Sequence, residues 1–285
     1  MHAAPSVIVF TVLSGIGFGF LACLWAGAVE GAGFWVWGLG YGLAVAGLVA
    51  SSFHLGNPQR ALLAFTQWRT SWLSREAVLS GAALGVLAPM ALSDWLGLGL
   101  PRVVGWIGAA LAVASVTATA MIYAQIRAVP RWHHWVTPVL FLSFALTGGL
   151  ILSGHAWLAA LACLGLVLVL RVTFRLGDGQ FARAGQTMGT ATGLAGKVTV
   201  FEWPHTGDNY LLREMIHVVG RRHADRLRLI AVLMAGLVPA AVLLLVPGVV
   251  GISMATLVHL AGAIAARWLF FAEAEHVVGL YYGRR

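Results

Sequence analysis

The chain has 285 residues, 60% of them hydrophobic and only 10% charged, with a formal net charge of +8. Its long continuous apolar runs exclude a soluble multi-domain protein, and they also exclude a β-barrel, whose strands are short and alternating. The positive charge falls in a few connecting segments, where membrane proteins carry it to set their orientation, so no nucleic acid partner is expected.

Spanning a bilayer takes roughly 20 apolar residues per helix, and the chain offers eight such runs. The expected fold is an all-α integral membrane protein. It is a bundle of eight transmembrane helices in a single domain over 1–285, with a long cytoplasmic loop over 175–226 between helices six and seven. Helix one is expected over 6–29. No Lys or Arg precedes it, so it reads as a retained span and not a secretory signal. Gly15 and Gly19 give it a small-xxx-small step. Helix two covers 34–54, with Gly38, Gly42, Ala46 and Ala50 as a smooth face.

The stretch 53–76, FHLGNPQRALLAFTQWRTSWLSRE, carries the most chemistry. His54 closes one apolar run, and Arg75 and Glu76 open the next. Arg60, Arg69, Phe65, Trp68 and Trp72 lie between. Ionisable groups at the edge of the hydrocarbon are costly and mark functional sites. If the flanking runs are adjacent antiparallel helices, His54 and Glu76 meet at one membrane face in a polar pocket with aromatic walls, open to a lipophilic molecule bearing polar oxygens. Each residue also has a plainer reading. A helix-end histidine bonds headgroups or backbone, a glutamate in a first helical turn complements the helix dipole, and Trp68 and Trp72 suit the interfacial belt.

Helix three runs over 74–92, with Ala77, Gly81 and Gly85 as its smooth face, and helix four over 103–126. The segment 127–135, RAVPRWHHW, reads as an interfacial anchor. Helix five covers 136–152, and a tight turn at 153–155 leads into helix six, ending near 174. The polar stretch 175–226 is long enough to be functional. Its second half has apolar residues at helical spacing (Leu211, Leu212, Met215, Val218, Val219), with Asp208 or Asn209 as cap. It is either a docking surface, with Trp203, His205, Asn209, Tyr210 and Arg213 as contact residues, or a helix lying in the interface. Helix seven covers 229–246. Pro247 and Gly248 turn the chain into helix eight, 249–271, whose far end carries Arg267, Glu273, Glu275 and His276. Cys23 and Cys163 lie in apolar runs and read as packing residues.

Basic residues follow helices two, four and six (Arg60, Arg69, Arg75; Arg127, Arg131; Arg171 to Arg228) and close the sequence at Arg284 and Arg285. The opposite turns carry almost none, Arg102 excepted. This places both termini, the 53–76 stretch and the long loop on the cytoplasmic side of a bacterial inner membrane.

No phosphate-binding glycine loop, HExxH, CxxC or GxSxG occurs, and no catalytic or metal-ligand set is assigned. Two cysteines cannot hold an iron–sulfur cluster, which needs about four thiolates, so electron transfer requires a partner or a haem. Histidine titrates near neutral pH, which suits His54 to a quinone oxygen, with Glu76 relaying protons. Haem b is the disfavoured rival. His259 is one candidate ligand, but His155 and His54 lie at opposite faces and cannot pair. A secondary transporter is the reading from another class; the inverted repeats and mid-membrane helix breaks it calls for are absent from the sequence.

The run HLGNPQRA followed by LSRE at the next helix start, the segment IYAQIRAVPRWHHWVTP and the helix-eight end RWLFFAEAEH together resemble the membrane anchor subunits of the dimethyl sulfoxide reductase family of molybdoenzymes. The basic loops after helices two, four and six and the long WPHTGDNYLLREM loop depart from the reductase pattern. They are similar to the anchors of cytoplasmic sulfite dehydrogenases. The resemblance implies a complex of three subunits, of which a large one holds molybdopterin and a small one holds iron–sulfur clusters. The anchor, without haem, would exchange electrons with menaquinone or ubiquinone. It links His54 and Glu76 to quinol binding, with Arg60, Trp72 and Arg75 beside them. The implied direction is sulfite to quinone; the alternative is an anchor for a dimethyl sulfoxide, polysulfide or similar reductase.

Overall fold

The structure is a computed structural model and describes residues 4–25, 33–53, 57–202 and 223–282. Eight helices carry the apolar sequence: α1 Pro5–Cys23, α2 Phe34–Ser52, α3 Trp72–Leu96, α4 Val103–Ala124, α5 Val136–Leu152, α6 Ala156–Asp178, α7 Ala224–Leu245 and α8 Gly248–Ala272. There is no strand among the described residues. All but α5 are long and apolar enough to cross a membrane. The 17 residues of α5 rise about 25 Å at ~1.5 Å each, short of a ~30 Å core by length alone. A 3-10 helix, Pro58–Phe65, precedes α3, and another, Val277–Tyr282, follows α8.

Local chemistry sets the helix limits. The Ser71 side chain accepts from the Ser74 backbone N–H, so α3 starts two residues earlier than the apolar pattern suggests. It runs through Pro89 and stops at Gly97, whose φ of 67° closes the helix in the left-handed region. An interior proline is tolerated in a spanning helix because neighbouring helices shield the freed carbonyl. In α7, Leu233–Leu237 forms a π-helical turn.

Helix α1 is the hub, packing on α2, α4, α5 and α8, while α3 packs chiefly on α4 and α6 on α5 and α7. A Cβ on Gly17 would lie 2.3 Å from the Ala44 nitrogen, and one on Gly19 would lie 1.9 Å from the Ala145 oxygen. Only glycine lets α2 and α5 approach this closely. The smooth faces expected from the sequence are corrected here. A Cβ on Gly15, Gly38, Gly42, Gly81 or Gly85 meets no described atom within 4 Å. The buried face of α2 is Trp37, Gly40, Ala44 and Gly47, and that of α3 includes Ser80, Ala83, Leu87 and Met90. Lipid is as apolar as protein, so small residues alone do not reveal the inward face.

The 127–135 anchor is also corrected in part. Trp135 is exposed, but Trp132 is buried. Its indole Nε1 donates to the Phe270 carbonyl at 2.9 Å, and its ring stacks on Phe270. Cys23 and Cys163 are free and buried.

Candidate functional site

The start of α3 presents two different surfaces. On the outside, the Arg75 guanidinium lies 4.3 Å over the Trp72 ring. Its Nε donates to the Trp68 carbonyl at 3.0 Å and its Nη2 to the Arg69 carbonyl at 2.7 Å. The turn before α3 is thereby folded back onto the helix, and Trp72 and Arg75 form one aromatic–cationic edge. Arg60 is exposed on the 3-10 helix Pro58–Phe65. His54, the partner expected for Glu76, lies outside the described residues, as do Trp203, His205, Asn209, Tyr210 and Arg213.

On the inside, Glu76 is 4% exposed and points into the bundle, where the Thr119 hydroxyl of α4 donates to its carboxylate. One turn earlier on α4, the Ser115 hydroxyl meets the Ser80 hydroxyl at 2.6 Å. Helix α8 supplies a second buried ionisable group. Arg267 is 3% exposed, with its guanidinium 3.6 Å over the Phe141 ring and close to Phe144 and Phe270. Its Nη1 has no hydrogen-bond partner among the described residues. Arg267 and Thr119 line the same small cavity of about 10 Å³, together with Thr11 and Ser14 of α1, which is room for about one water. Val116 lies on the wall of this cavity and also on that of an apolar groove of about 750 Å³ lined by α1, α4 and α5 and by His155 and Leu158 at the start of α6.

His259 is buried two turns before Arg267 on α8. Its Nδ1 lies 2.7 Å from the Ala235 carbonyl in the π-turn, so the N–H sits on Nδ1. Its Nε2 has no described partner. Among the described residues the other histidines lie at helix ends or in connections, and no group of three or more metal-ligating residues occurs.

At the end of the bundle where α6 and α8 finish and α7 begins, four charges from distant parts of the chain meet. Glu273 is 6% exposed and accepts from Arg131 and, at 2.6 Å, from Arg228 Nε. Asp178 accepts from the same two arginines, at 3.1 Å from Arg131 and 2.9 Å from Arg228 Nη1. Nearby, the Val136 backbone N–H donates to His134 Nδ1 at 3.2 Å. Burial pushes the His134 imidazole below its usual range, aided by the charges of Arg183 and His133.

Sequence reasoning found Glu76 but neither Thr119, which bonds it, nor Arg267, which shares a cavity with Thr119. Arg267 passed as one of the charges at the far end of helix eight. Its signal was the spacing of His259, Ala263 and Arg267, four residues apart on one face of an apolar helix. Thr119 left no signal, since one threonine in an apolar helix is commonplace.

Comparison with known proteins identifies the frame in which these groups sit. The family model described as DMSO reductase anchor subunit (DmsC) matches residues 6–273. The chain is also 30% identical to a sulfite dehydrogenase subunit of Allochromatium vinosum, over 328 aligned positions that cover 99% of each chain. No solved structure matches the chain.

Proposed function

This chain belongs to the DMSO reductase anchor subunit family, and from that premise we propose that it is the quinone-reacting anchor of a sulfite-oxidising molybdenum/iron–sulfur complex. The family makes it a membrane subunit that works with catalytic and electron-transfer partners. In this reading the partners hold molybdopterin and iron–sulfur clusters. Sulfite gives up its electrons at molybdenum, the clusters carry them to the membrane, and a menaquinone or ubiquinone takes them up with protons from water. The anchor itself carries no haem.

The observation that carries the sulfite assignment is the end-to-end likeness to the Allochromatium vinosum sulfite dehydrogenase subunit. The quinone assignment is supported by the start of α3. A quinone ring needs a flat apolar wall at the membrane edge, which Trp72 offers, and its reduction needs a titratable group reachable from that edge. Glu76 is one residue from Arg75 and buried, with its carboxylate held by Thr119. His54 completes this site in the proposal, with Arg60 and Arg75 drawing a polar headgroup to the edge.

All eight helices cross the membrane in this proposal. Although α5 is short, it follows and precedes helices long enough to span, and it is largely buried, packed chiefly on α1 and α6. An even number of spans returns the termini to one side, and the basic segments after helices two, four and six make that side the cytoplasm. The quinone site and the partner subunits then share one face, within the short reach of electron tunnelling. The long loop 175–226 is proposed as the docking surface for the partners.

The test uses the whole complex in membranes. His54→Gln and Glu76→Gln are expected to abolish or slow quinone-linked sulfite oxidation, while oxidation coupled to an artificial dye continues in the partner subunits. Wild-type rates with quinone in both variants would refute the site. A complex purified without an iron–sulfur partner would refute the function.

A further inference from the structure

Arg267 is a cation stripped of water. It is 3% exposed, pressed against three aromatic rings, and makes no ion pair among the described residues. A guanidinium can only donate hydrogen bonds, and a buried donor without an acceptor is strongly unfavourable. Nη1 is such a donor, and Arg267 lines a cavity of about one water's size.

The hydroxyls around that cavity are complementary. Each carries one proton. Thr11 donates its own to the Val7 carbonyl at 2.9 Å, and Ser14 to the Phe10 carbonyl at 2.7 Å. Thr119 has two acceptors for one proton, the Glu76 carboxylate and the Ser115 carbonyl. With their protons committed elsewhere, these oxygens keep lone pairs available to accept. Arg267 supplies donors alone and the hydroxyls supply acceptors. A molecule that both accepts and donates is needed between them, and it must be no larger than water.

We propose that this cavity holds one ordered water linking Arg267 to Thr119, and that Arg267 is thereby the positioning residue and counter-charge of Glu76. The functional half of this rests on the quinone reading above; the water site does not. Thr119 acts as the switch. When Glu76 is ionised, Thr119 donates to it and accepts from the water. When Glu76 is protonated, the carboxyl proton can bond to Thr119, which then donates to the Ser115 carbonyl; its remaining lone pair turns with it, and the water reorients around Arg267. The charge state of a group at the proposed quinone site is passed to α8 through one hydroxyl, without backbone movement.

Two measurements on the detergent-purified complex test this. The first is infrared spectroscopy in ordinary and oxygen-18 water. A sharp O–H band that shifts with the isotope is expected in the wild type and in Thr119→Ser, which keeps the hydroxyl, and is expected to vanish in Thr119→Val and Arg267→Met. If the band is absent from the wild type or survives in both of the last two variants, the water site is wrong. Thr119→Ser and Thr119→Val keep Arg267 in place, so the result stands even if Arg267→Met does not assemble.

The second is a double-mutant cycle in Tm. Glu76→Gln and Arg267→Gln each leave a buried charge without its counterpart. The double variant removes both, so its loss of Tm should be smaller than the sum of the two single losses. Additive losses would overturn the counter-charge role; if Arg267→Gln fails to assemble, Arg267→Met takes its place in the cycle because it too removes the charge, and Arg267→Lys alone, which keeps the charge, is expected to stay near the wild-type Tm. A non-additive cycle alongside full quinone turnover in Glu76→Gln would instead refute the quinone reading and leave the buried pair standing.

Discussion

Glu273 accepts from Arg228 at 2.6 Å across 45 residues of sequence, and this bond joins the residue after α8 to the first turns of α7. Arg131 reaches the same carboxylate from the connection between α4 and α5, and both arginines extend to Asp178 at the end of α6. One buried carboxylate thus ties together three separate parts of the bundle, with Trp132 packed against Phe270 just beneath.

This clamp is expected to be uneven. The Glu273 side chain is 5% exposed and the Asp178 side chain 48%. Glu273→Gln leaves two largely buried guanidinium groups without their shared charge, and breaking such a pair costs about 3–5 kcal/mol. Asp178→Asn removes a carboxylate that water already screens, and is expected to cost about 1 kcal/mol or less. Thermal unfolding of the two variants in detergent compares them directly. Equal losses would show that Glu273 is not the keystone of the cluster.

The central position of α1 gives a second prediction. Gly19→Val puts side-chain atoms where the Ala145 carbonyl already sits, so α1 and α5 must separate. Gly15→Ala, on the same helix, adds a Cβ that meets no described atom within 4 Å. The first variant is expected to lower the yield and Tm of the purified complex sharply, because overpacking of this kind costs about 1–3 kcal/mol or more. The second is expected to remain near wild type. The reverse order would mean that α1 packs on α5 through a different face.

A third prediction concerns pH. His134 lies in the connection before α5, and its Nδ1 accepts from the Val136 N–H, which requires the neutral ring. Its folded pKa lies below the ordinary value of 6.5, first through burial and then through Arg183 and His133. The unfolded chain therefore binds this proton more readily than the folded one. The contribution is fully present above the unfolded value and is lost as pH falls below about 6.5 towards the folded value. His134→Asn keeps an acceptor without the titration. A Tm profile from about pH 8 to about pH 5 should drop less steeply in this variant than in the wild type. Parallel profiles would assign the acid sensitivity elsewhere.

The candidate site was legible in one half only. Glu76 stood out because a carboxylate opening an apolar run is expensive wherever it points, and its burial against Thr119 agrees with that cost. Trp72 and Arg75 were named from composition, and they lie together at the edge of α3. Arg267 was visible as a residue but not as a neighbour of the cavity that Thr119 lines. Nothing in the spacing between positions 76, 119 and 267 announces that Thr119 bonds Glu76 and also lines one small cavity with Arg267.

The sequence by itself determined that the chain is helical and membrane-embedded, because runs of that length and apolarity have no other stable arrangement in lipid. It also determined the break between α7 and α8, since the Pro247–Gly248 pair acts through local backbone chemistry, whereas Ser71 and Gly97 extend α3 beyond the 74–92 that the apolar pattern predicts. Which side of each helix faces inward was decided only by the tertiary structure. The lipid surroundings are as apolar as the bundle interior, so hydropathy does not separate Gly38 and Gly42 from Gly40 and Gly47. Tertiary packing alone also decided that Arg131 would meet Glu273 and that Arg267 would lie beside the cavity of Thr119. Such pairings depend on how helices remote in sequence are arranged around α1, and no local pattern encodes that.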